Sequence, residues 1–237
     1  MSQYILEAAH IQKKYGRQTV LRDVSIHVKH GGIYGLIGKN GSGKTTLFRI
    51  LTGLIQGYSG VVTVSHTGSH ESNISAVIDS PSLFLNMSAF ENMKAQSFLL
   101  GIRDNGRIRQ ALETVRLSES NKKPVRYYSL GMTQRLKLAM ALVGNPEILI
   151  LDEPANGLDP EGVVELRELL IYLNRTMGKT ILVSSHILSE LEQIVTCLGI
   201  LHDGEIVREL SDSDILQNGT GLEKLYMEYA RGGNRYE

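Results

Sequence analysis

A glycine-rich loop ending in lysine and threonine is the feature of this chain best suited to chemistry. Residues 38–45 read Gly-Lys-Asn-Gly-Ser-Gly-Lys-Thr and match the phosphate-binding pattern G-x-x-x-x-G-K-[ST] at each fixed position. In that pattern backbone N–H groups surround the phosphates, Lys44 reaches the β- and γ-phosphates, and the Thr45 hydroxyl ligates Mg²⁺. The loop therefore predicts binding of a nucleoside triphosphate together with Mg²⁺. A glycine-rich turn before an ordinary helix is the alternative interpretation.

Two adjacent carboxylates at the end of an apolar run form the second candidate. Residues 148–151 are Ile-Leu-Ile-Leu, typical of a buried parallel strand, and Asp152 and Glu153 follow directly. Carboxylates at such a strand end need a cation or hydrogen-bond donors nearby. We expect Asp152 to hold Mg²⁺ through its water shell and Glu153 to polarise the attacking water. The alternative is that both carboxylates only cap a loop before Pro154.

A second helix start suited to anions lies in residues 129–134, Ser-Leu-Gly-Met-Thr-Gln, called here the signature segment. One nucleotide does not obviously need two helix N-termini from distant parts of the sequence, whereas a face-to-face dimer would use both. His186 follows the predicted strand 180–184 and is expected near the same face. By itself, a histidine at this position is typical of a structural or surface residue.

Strands and helices must position these residues. An apolar run, 33–37, precedes the phosphate loop as a buried strand, and residues 46–51 follow with helical spacing. Further strands are predicted at 5–11, 20–28, 60–64, 74–78, 147–151, 180–184, 198–201 and 205–208. Helices are predicted within 88–145, where Ser88 and Glu91 suggest a capping box and Ser129 caps a helix to residue 142, and at 159–177 and 187–194. Two short helices are expected near the end of the chain.

The alternation of strands and helices predicts an α/β fold with a helical insertion. We expect one domain over residues 1–237, with a nucleotide-binding core and antiparallel β layer formed by 1–85 and 146–210. Residues 86–145 would form the helical subdomain, and residues 211–237 the short C-terminal helices and tail.

Composition excludes several classes of function. With 25 basic and 25 acidic residues the chain has no net basic field, so we expect no nucleic-acid partner. Its single cysteine, Cys197, cannot form an internal disulfide and fits a reducing compartment, and its apolar surroundings predict a small buried residue rather than a reactive thiol. We see no signal peptide and no apolar run near the roughly 18 residues of a membrane helix.

In their order along the chain, these motifs resemble the ATPase subunit of ABC transporters, over about residues 5–210. The resemblance implies a P-loop NTPase fold of the ABC type, with a mixed central sheet, an antiparallel β subdomain and an inserted helical subdomain. It makes residues 38–45 the Walker A motif, 149–153 the Walker B motif and 156–159 the D-loop. It also makes the segment 129–134 the family's signature motif and His186 its switch histidine.

The site residues implied by the resemblance fall into three groups. Those expected to hold ATP are Tyr15, stacked on adenine, and Gly38, Lys39, Asn40, Gly41, Ser42, Gly43, Lys44, Thr45, Thr46, Ser129, Gly131 and Gln134. Those expected to act in catalysis are Glu153, His186 and Lys44. Those expected to bind Mg²⁺ are Thr45, Asp79 and Asp152.

Two departures from the family pattern narrow the resemblance. The usual signature begins Leu-Ser-Gly-Gly-Gln, whereas here Met132 displaces the second glycine. Asp79 stands where the family normally has glutamine, and could bind Mg²⁺ directly or through a water, or could merely begin a turn before Pro81. An acidic residue there, usually glutamate, and a Ser-Leu-Gly-Met signature resemble the subfamily that exports bacitracin, lantibiotics and related peptide antibiotics.

The resemblance also implies partners. Two such subunits, identical or related, would enclose two ATP molecules head to tail and drive a pair of membrane permease subunits from the cytoplasmic face of the membrane. A surface at residues 84–90 could receive the permease or could belong to the core.

Other functions stay open at this point. An antibiotic-sensing ABC module would use the same ATPase. A non-transport ABC ATPase acting on DNA or ribosomes is disfavoured by the single cassette and by the absence of coiled-coil heptads. A subunit that does not hydrolyse ATP is disfavoured because Lys44, Asp152, Glu153 and His186 are all present.

Overall fold

Strands and helices alternate through residues 3–65, 74–78, 83–117, 122–218 and 226–227, the part of the chain that the computed structural model describes. The strands are β1 (Tyr4–Tyr15), β2 (Gln18–Lys29), β3 (Ile33–Ile37), β4 (Ser59–Val64), β5 (Ile74–Val77), β6 (Ile148–Leu151), β7 (Thr180–Ser185), β8 (Cys197–His202) and β9 (Glu205–Ser211). The helices are α1 (Lys44–Leu51), α2 (Ala89–Leu99), α3 (Asn105–Thr114), α4 (Leu130–Leu142), α5 (Pro160–Arg175), α6 (Leu188–Leu191) and α7 (Asp212–Asn218). The α/β class predicted from the sequence is confirmed.

Within the described ranges the strands form one mixed sheet in the order β4-β1-β2-β9-β8-β3-β7-β6-β5. β3 pairs in parallel with β7 and β8, and β6 pairs in parallel with β5 and β7. β1 pairs antiparallel with β2 and β4. This antiparallel part joins the rest through one pairing, Asp23 with Glu205, and through a hydrogen bond from the Arg22 N–H to the Gly204 carbonyl (2.8 Å). The predicted antiparallel layer is therefore an extension of the central sheet.

Several element boundaries differ from those that the apolar pattern predicts. β1 and β2 extend beyond their apolar residues because backbone pairing continues to Tyr15 and Gln18, and Gly16 turns the chain at φ 57°. Tyr15 is thus the last residue of a strand. The helix predicted at 187–194 is α-helical only over α6, whose N-cap residue Ile187 makes no side-chain cap. α7 is the first of the two short helices expected near the end of the chain.

The strands at the centre of the sheet are buried on both faces. Every residue of β3 and β6 is buried, as near-continuous apolar strands between two layers should be. β7 lies between them, with Ile37 beside Ser185 and Leu151 beside Val183. Since these strands run in parallel, their carboxyl ends meet at one edge of the sheet, where ligand sites of open α/β sheets are found.

Side-chain caps start the two helices that the sequence most clearly predicts. In α2 the Glu91 N–H donates to Ser88 Oγ (3.3 Å) and the Ser88 N–H donates to Glu91 Oε2 (2.8 Å), which completes the predicted capping box. In α4 the Met132 N–H donates to Ser129 Oγ (3.2 Å). These caps fix where the helical region between β5 and β6 begins and where the signature segment lies.

Candidate active site

The phosphate loop connects β3 to α1 in a conformation that its glycines make possible. Gly43 has φ 112°, and a Cβ there would lie 2.6 Å from Leu21 Cδ2. A Cβ on Gly38 would lie 2.6 Å from Ser42 Oγ. No side chain caps α1 and its first turn has no acidic residue, so its N-terminal N–H groups suit an anion.

Lys44 is the buried cation of this loop, with only 4% of its side chain exposed. Its Nζ donates to the carbonyl oxygens of Gly38 (2.7 Å) and Lys39 (3.2 Å). The same Nζ lies 3.1 Å from Glu153 Oε1, which is also mostly buried. The structure thus joins the lysine of the phosphate loop to the glutamate that follows β6.

Thr45 and Asp152 could hold a divalent cation. Thr45 Oγ1 donates to Asp152 Oδ2 (2.5 Å), so two oxygen ligands lie together at the start of α1. Mg²⁺ is commonly held by one or two protein oxygens together with phosphate oxygens and water, and this donor set fits that chemistry. Asp79, the third residue predicted to bind the metal, lies outside the described residues.

Ser184 supports the Asp152 carboxylate and the Glu153 backbone, and was not predicted from the sequence. Its Oγ donates to Asp152 Oδ1 (2.6 Å) and accepts from the Glu153 N–H (2.8 Å). The side chain is fully buried in β7. A buried serine directly after the apolar residues 181–183 needs a polar partner, and that requirement was the available signal.

Glu153 brings the three predicted catalytic residues together. His186 Nδ1 lies 3.1 Å from Glu153 Oε2, while Lys44 approaches the other carboxylate oxygen. The Glu153 backbone is in the left-handed region at φ 45°, which is uncommon for residues other than glycine and is found disproportionately at functional sites. The carboxylate is therefore held between a lysine and a histidine at the carboxyl ends of β6 and β7.

A cavity of about 810 Å³ opens at this site, within the range of small-molecule sites. Its lining includes residues of the phosphate loop and the start of α1: Asn40, Gly41, Gly43, Lys44, Thr45 and Thr46. It also includes Asp152, Glu153 and Asn156 after β6, and Leu130, Gln134 and Lys137 of α4. Ser42 Oγ is buried without a hydrogen-bond partner in the described part of the chain, as a group meant for a ligand would be.

Not every predicted nucleotide residue lies on this cavity. In the phosphate loop, Gly38, Lys39 and Ser42 are not among its lining residues. In the signature segment, Ser129 and Gly131 are not, although Leu130 and Gln134 are. Tyr15 is also absent from the lining; its ring is 46% exposed and lies 5.0 Å from Lys13 Nζ. The chain by itself thus gathers Lys44, Thr45 and the two carboxylates around the cavity, but not Ser129 or Gly131.

Two further titratable groups differ from what the sequence suggests. Lys137 was not singled out by any motif, yet it lines the cavity and is only 7% exposed, and this burial lowers its pKa.

Cys197 was expected to be buried and is half-buried. Burial, followed by the charge of Glu209, raises the pKa of the Cys197 thiol to about 12, so the predicted lack of thiol reactivity has a physical basis.

Comparison with known proteins places this geometry in context. The family described as ABC transporter matches residues 21–156. The bacitracin transport ATP-binding protein BcrA of Enterococcus faecalis is 39% identical over 219 residues, which cover 90% of this chain and 71% of the relative. The lantibiotic transport ATP-binding protein SrtF of Streptococcus pyogenes is 41% identical over 208 residues, which cover 86% of this chain and 90% of the relative.

Solved structures show the same fold. A nucleotide-free ATP-binding cassette from an ABC transporter superposes with a TM-score of 0.82 at 23% identity, covering 95% of this chain and 98% of that chain. The ATP-binding cassette MJ0796, in a dimeric post-hydrolysis state bound to ADP and Pi, gives a TM-score of 0.75 at 25% identity, covering 87% of this chain and 98% of that chain.

Proposed function

This chain belongs to the ABC transporter family as an ATP-binding and ATP-hydrolysing subunit, and we propose that it powers a separate membrane permease that exports, or confers resistance to, a peptide antibiotic or a similar amphiphile. The meeting of Lys44, Glu153 and His186 beside the phosphate loop is the observation that carries the ATPase assignment. The substrate class is supported by the relatives BcrA and SrtF, which are named as bacitracin and lantibiotic transport ATP-binding proteins.

ATP would bind with its phosphates on the loop 38–45 and on the first turn of α1. The uncapped helix start, the buried Ser42 hydroxyl and the Lys44 ammonium support this placement. Tyr15 would stack on the adenine. Mg²⁺ would be held by Thr45 and Asp152, with Asp79 as a third ligand. When bound, it would neutralise part of the negative charge of the phosphates.

Hydrolysis would depend on Glu153 as the residue that orients and polarises water. Lys44 holds Glu153 Oε1 and His186 holds Oε2, so both partners fix the direction of the carboxylate. When the phosphates of ATP take over Lys44, one oxygen of Glu153 becomes available to accept a proton from water. His186 remains beside it and would steady the γ-phosphate.

A second copy or a related cassette would complete each nucleotide site. Ser129 and Gly131 stand at the N-terminus of α4 and outside their own chain's cavity, so they suit the γ-phosphate held by a partner. The dimeric state described for MJ0796 supports this arrangement. In the same proposal, residues 1–85 and 146–210 act as the nucleotide-binding core, 86–145 as the helical subdomain and 211–237 as a C-terminal appendage.

An apolar surface on a loop hydrogen-bonded to α2 offers a docking place for the permease. Phe84, Leu85 and Met87 are 55%, 57% and 40% exposed. Asn92 holds their loop: its Oδ1 accepts from the Phe84 N–H (2.8 Å), and its Nδ2 donates to the Phe84 carbonyl (3.1 Å). These hydrogen bonds hold the loop against α2. Docking there would place the subunit on the cytoplasmic face of the membrane.

No helix in the described ranges is long and apolar enough to cross a bilayer.

The proposal is tested by Glu153→Gln, which keeps the shape of the side chain and removes the base. We expect ATP turnover to fall at least about 100-fold while ATP still binds, and the protein to accumulate as an ATP-bound dimer. In a host deleted for this gene, the wild-type protein should restore tolerance to a peptide antibiotic, and Glu153→Gln should not. Wild-type turnover by the variant would contradict the assigned base. Unchanged tolerance in the deleted host, with turnover lost in the variant, would contradict only the substrate class.

A further inference from the structure

A buried serine near the end of β7 is bonded to both of the residues that follow β6. Ser184 is fully buried and pairs with Leu36 of β3, just before the phosphate loop. Its Oγ donates to Asp152 Oδ1 (2.6 Å) and accepts from the Glu153 N–H (2.8 Å). A hydroxyl has one proton and two lone pairs, so it can make both bonds at once. One side-chain oxygen of β7 thus ties the two successive acidic residues together.

The first of these bonds orients the Asp152 carboxylate. In the described part of the chain, Asp152 Oδ2 accepts from Thr45 Oγ1 (2.5 Å) and Oδ1 accepts from Ser184. Because Thr45 is itself a proposed ligand of Mg²⁺, Ser184 is the donor that holds the carboxylate from outside the metal site. Replacing a group that orients a metal ligand in this way commonly weakens metal binding or activity about 10- to 100-fold.

The second bond holds the backbone of Glu153. Its φ of 45° lies in the left-handed region, which is unfavourable for a residue with a Cβ and persists only where the surroundings fix it. The Glu153 N–H is held by Ser184, and its carbonyl accepts from the Asn156 N–H (3.0 Å). With the backbone held on both sides, the side chain is directed to the place where it meets Lys44 and His186.

We propose that Ser184 is a positioning residue, whose single hydroxyl fixes the Asp152 carboxylate and the Glu153 backbone relative to each other. The metal ligand and the base are thereby presented to the same nucleotide in one fixed arrangement. The inference rests on the proposed function, because it takes Asp152 as a ligand of Mg²⁺ and Glu153 as the base. Ser184 does not itself line the nucleotide cavity, so its effect on turnover passes through these two residues.

Ser184→Ala tests this role through two measurements. We expect kcat for ATP to fall about 10- to 100-fold. The KM for ATP should change by less than about threefold, because the groups that grip the phosphates are intact. The second measurement needs no turnover: an electron paramagnetic resonance titration of Mn²⁺, in the presence of saturating ADP, should show binding weakened about tenfold.

A pair of variants of nearly equal shape separates the hydroxyl from the volume of the side chain. Ser184→Thr keeps the hydroxyl and should retain most of the turnover and of the Mn²⁺ affinity. Ser184→Val replaces that hydroxyl by a methyl group and should lose both, as Ser184→Ala does.

Thr180→Val is the matched control. Thr180 lies at the other end of β7 and is 1% exposed, and its Oγ1 accepts from the Gly31 N–H (3.0 Å). This variant also removes a buried hydroxyl from β7 and should lower the urea midpoint, as Ser184→Val does. Its kcat and its Mn²⁺ affinity should stay at the wild-type values, because its hydroxyl has no bond to the site.

The outcomes separate the inference from its premise. Wild-type kcat and Mn²⁺ affinity in Ser184→Ala and Ser184→Val would overturn the proposed role of Ser184. Equal losses in Thr180→Val, or in Ser184→Thr and Ser184→Val alike, would also overturn it, since stability or volume would then explain the effect. Wild-type turnover in Glu153→Gln would instead count against the proposed function from which the inference starts.

Discussion

At the scale of single residues, the side chain and the backbone of Glu153 are both held in place by neighbouring residues of the site. Its two carboxylate oxygens lie 3.1 Å from Lys44 Nζ and 3.1 Å from His186 Nδ1. Its N–H donates to Ser184, and its backbone adopts a left-handed conformation. Because Lys44 is also the residue that grips phosphate, Glu153 and the nucleotide compete for the same ammonium.

This competition predicts that Glu153→Gln tightens ADP binding. Removing the carboxylate charge leaves Lys44 fully available to the β-phosphate, and a charged hydrogen bond of this kind contributes about 1.5 kcal/mol, or about tenfold in affinity. Calorimetric titration of the monomer with ADP measures the change, since ADP does not offer the γ-phosphate needed for dimer closure. His186→Ala is the control, because it removes the other side chain in contact with the Glu153 carboxylate and leaves the Lys44–Glu153 pair in place. Equal ADP affinity in all three proteins would show that the pair does not oppose binding.

The same scale shows which site residues a sequence can reveal. Lys44, Thr45 and Asp152 were predicted because each belongs to a local pattern with a fixed spacing and a fixed neighbouring element. Ser184 and Lys137 were missed because their importance depends on which strand or cavity lies next to them. That information is tertiary, and only an unusual polar residue in an apolar stretch hints at it.

At the scale of elements, the caps were the most predictable features and the strand ends the least. Ser88 and Ser129 begin α2 and α4 where the sequence indicates, because a side-chain acceptor meets N–H groups within three residues. The ends of β1 and β2 were missed because backbone pairing continues through exposed residues that show no apolar alternation. Local hydrogen bonding is thus readable from sequence, whereas pairing with a distant strand is not.

The capping box of α2 predicts a pH-dependent stability. Hydrogen bonds from the Ser88 backbone N–H, followed by its hydroxyl, lower the pKa of Glu91 below its usual 4.5. A lowered pKa in the folded state stabilises the protein above the unfolded-state pKa, and this contribution is lost as the pH falls through the folded-state pKa. Glu91→Gln should therefore lower the urea midpoint at pH 7, and the difference from wild type should shrink below about pH 4.

Two controls complete this test. Ser88→Ala removes the acceptor for the Glu91 N–H and should lower the free energy of unfolding by about 1 kcal/mol at pH 7. Glu113→Gln changes an exposed glutamate at the C-terminal end of α3, outside the capping box of α2, and should leave the midpoint unchanged. A gap between wild type and Glu91→Gln that stays constant from pH 7 to pH 3.5 would contradict a role for the ionised carboxylate.

At the scale of the whole molecule, the fold gathers only part of a nucleotide site. The α/β class, the antiparallel strands and the helical region were all predicted, since each follows from periodicity and from the order of the elements. How the signature segment relates to its own cavity could not be predicted, because it depends on how α4 packs against the sheet. The structure places Leu130 and Gln134 on the cavity but not Ser129, and this is the reason to expect a shared site.

A shared site predicts that two inactive variants restore each other. Lys44→Ala should lose ATP turnover because it removes the phosphate grip, and Ser129→Ala because it removes the contact to the partner's γ-phosphate. When equal amounts of the two variants pair at random, half of the dimers contain one copy of each variant. In such a dimer one of the two sites has both Lys44 and Ser129, so turnover should return to about a quarter of wild type.

The recovery also shows that both variants fold, because an unfolded chain could not supply half of a site. The control is a mixture of Lys44→Ala with the double variant that carries both substitutions, in which no site is complete and no turnover should return. Each residue then acts from a different chain, and the phosphate loop and the signature segment belong to one site only when two subunits meet. Full turnover by Ser129→Ala alone, or no gain on mixing, would mean instead that each chain hydrolyses ATP with its own residues.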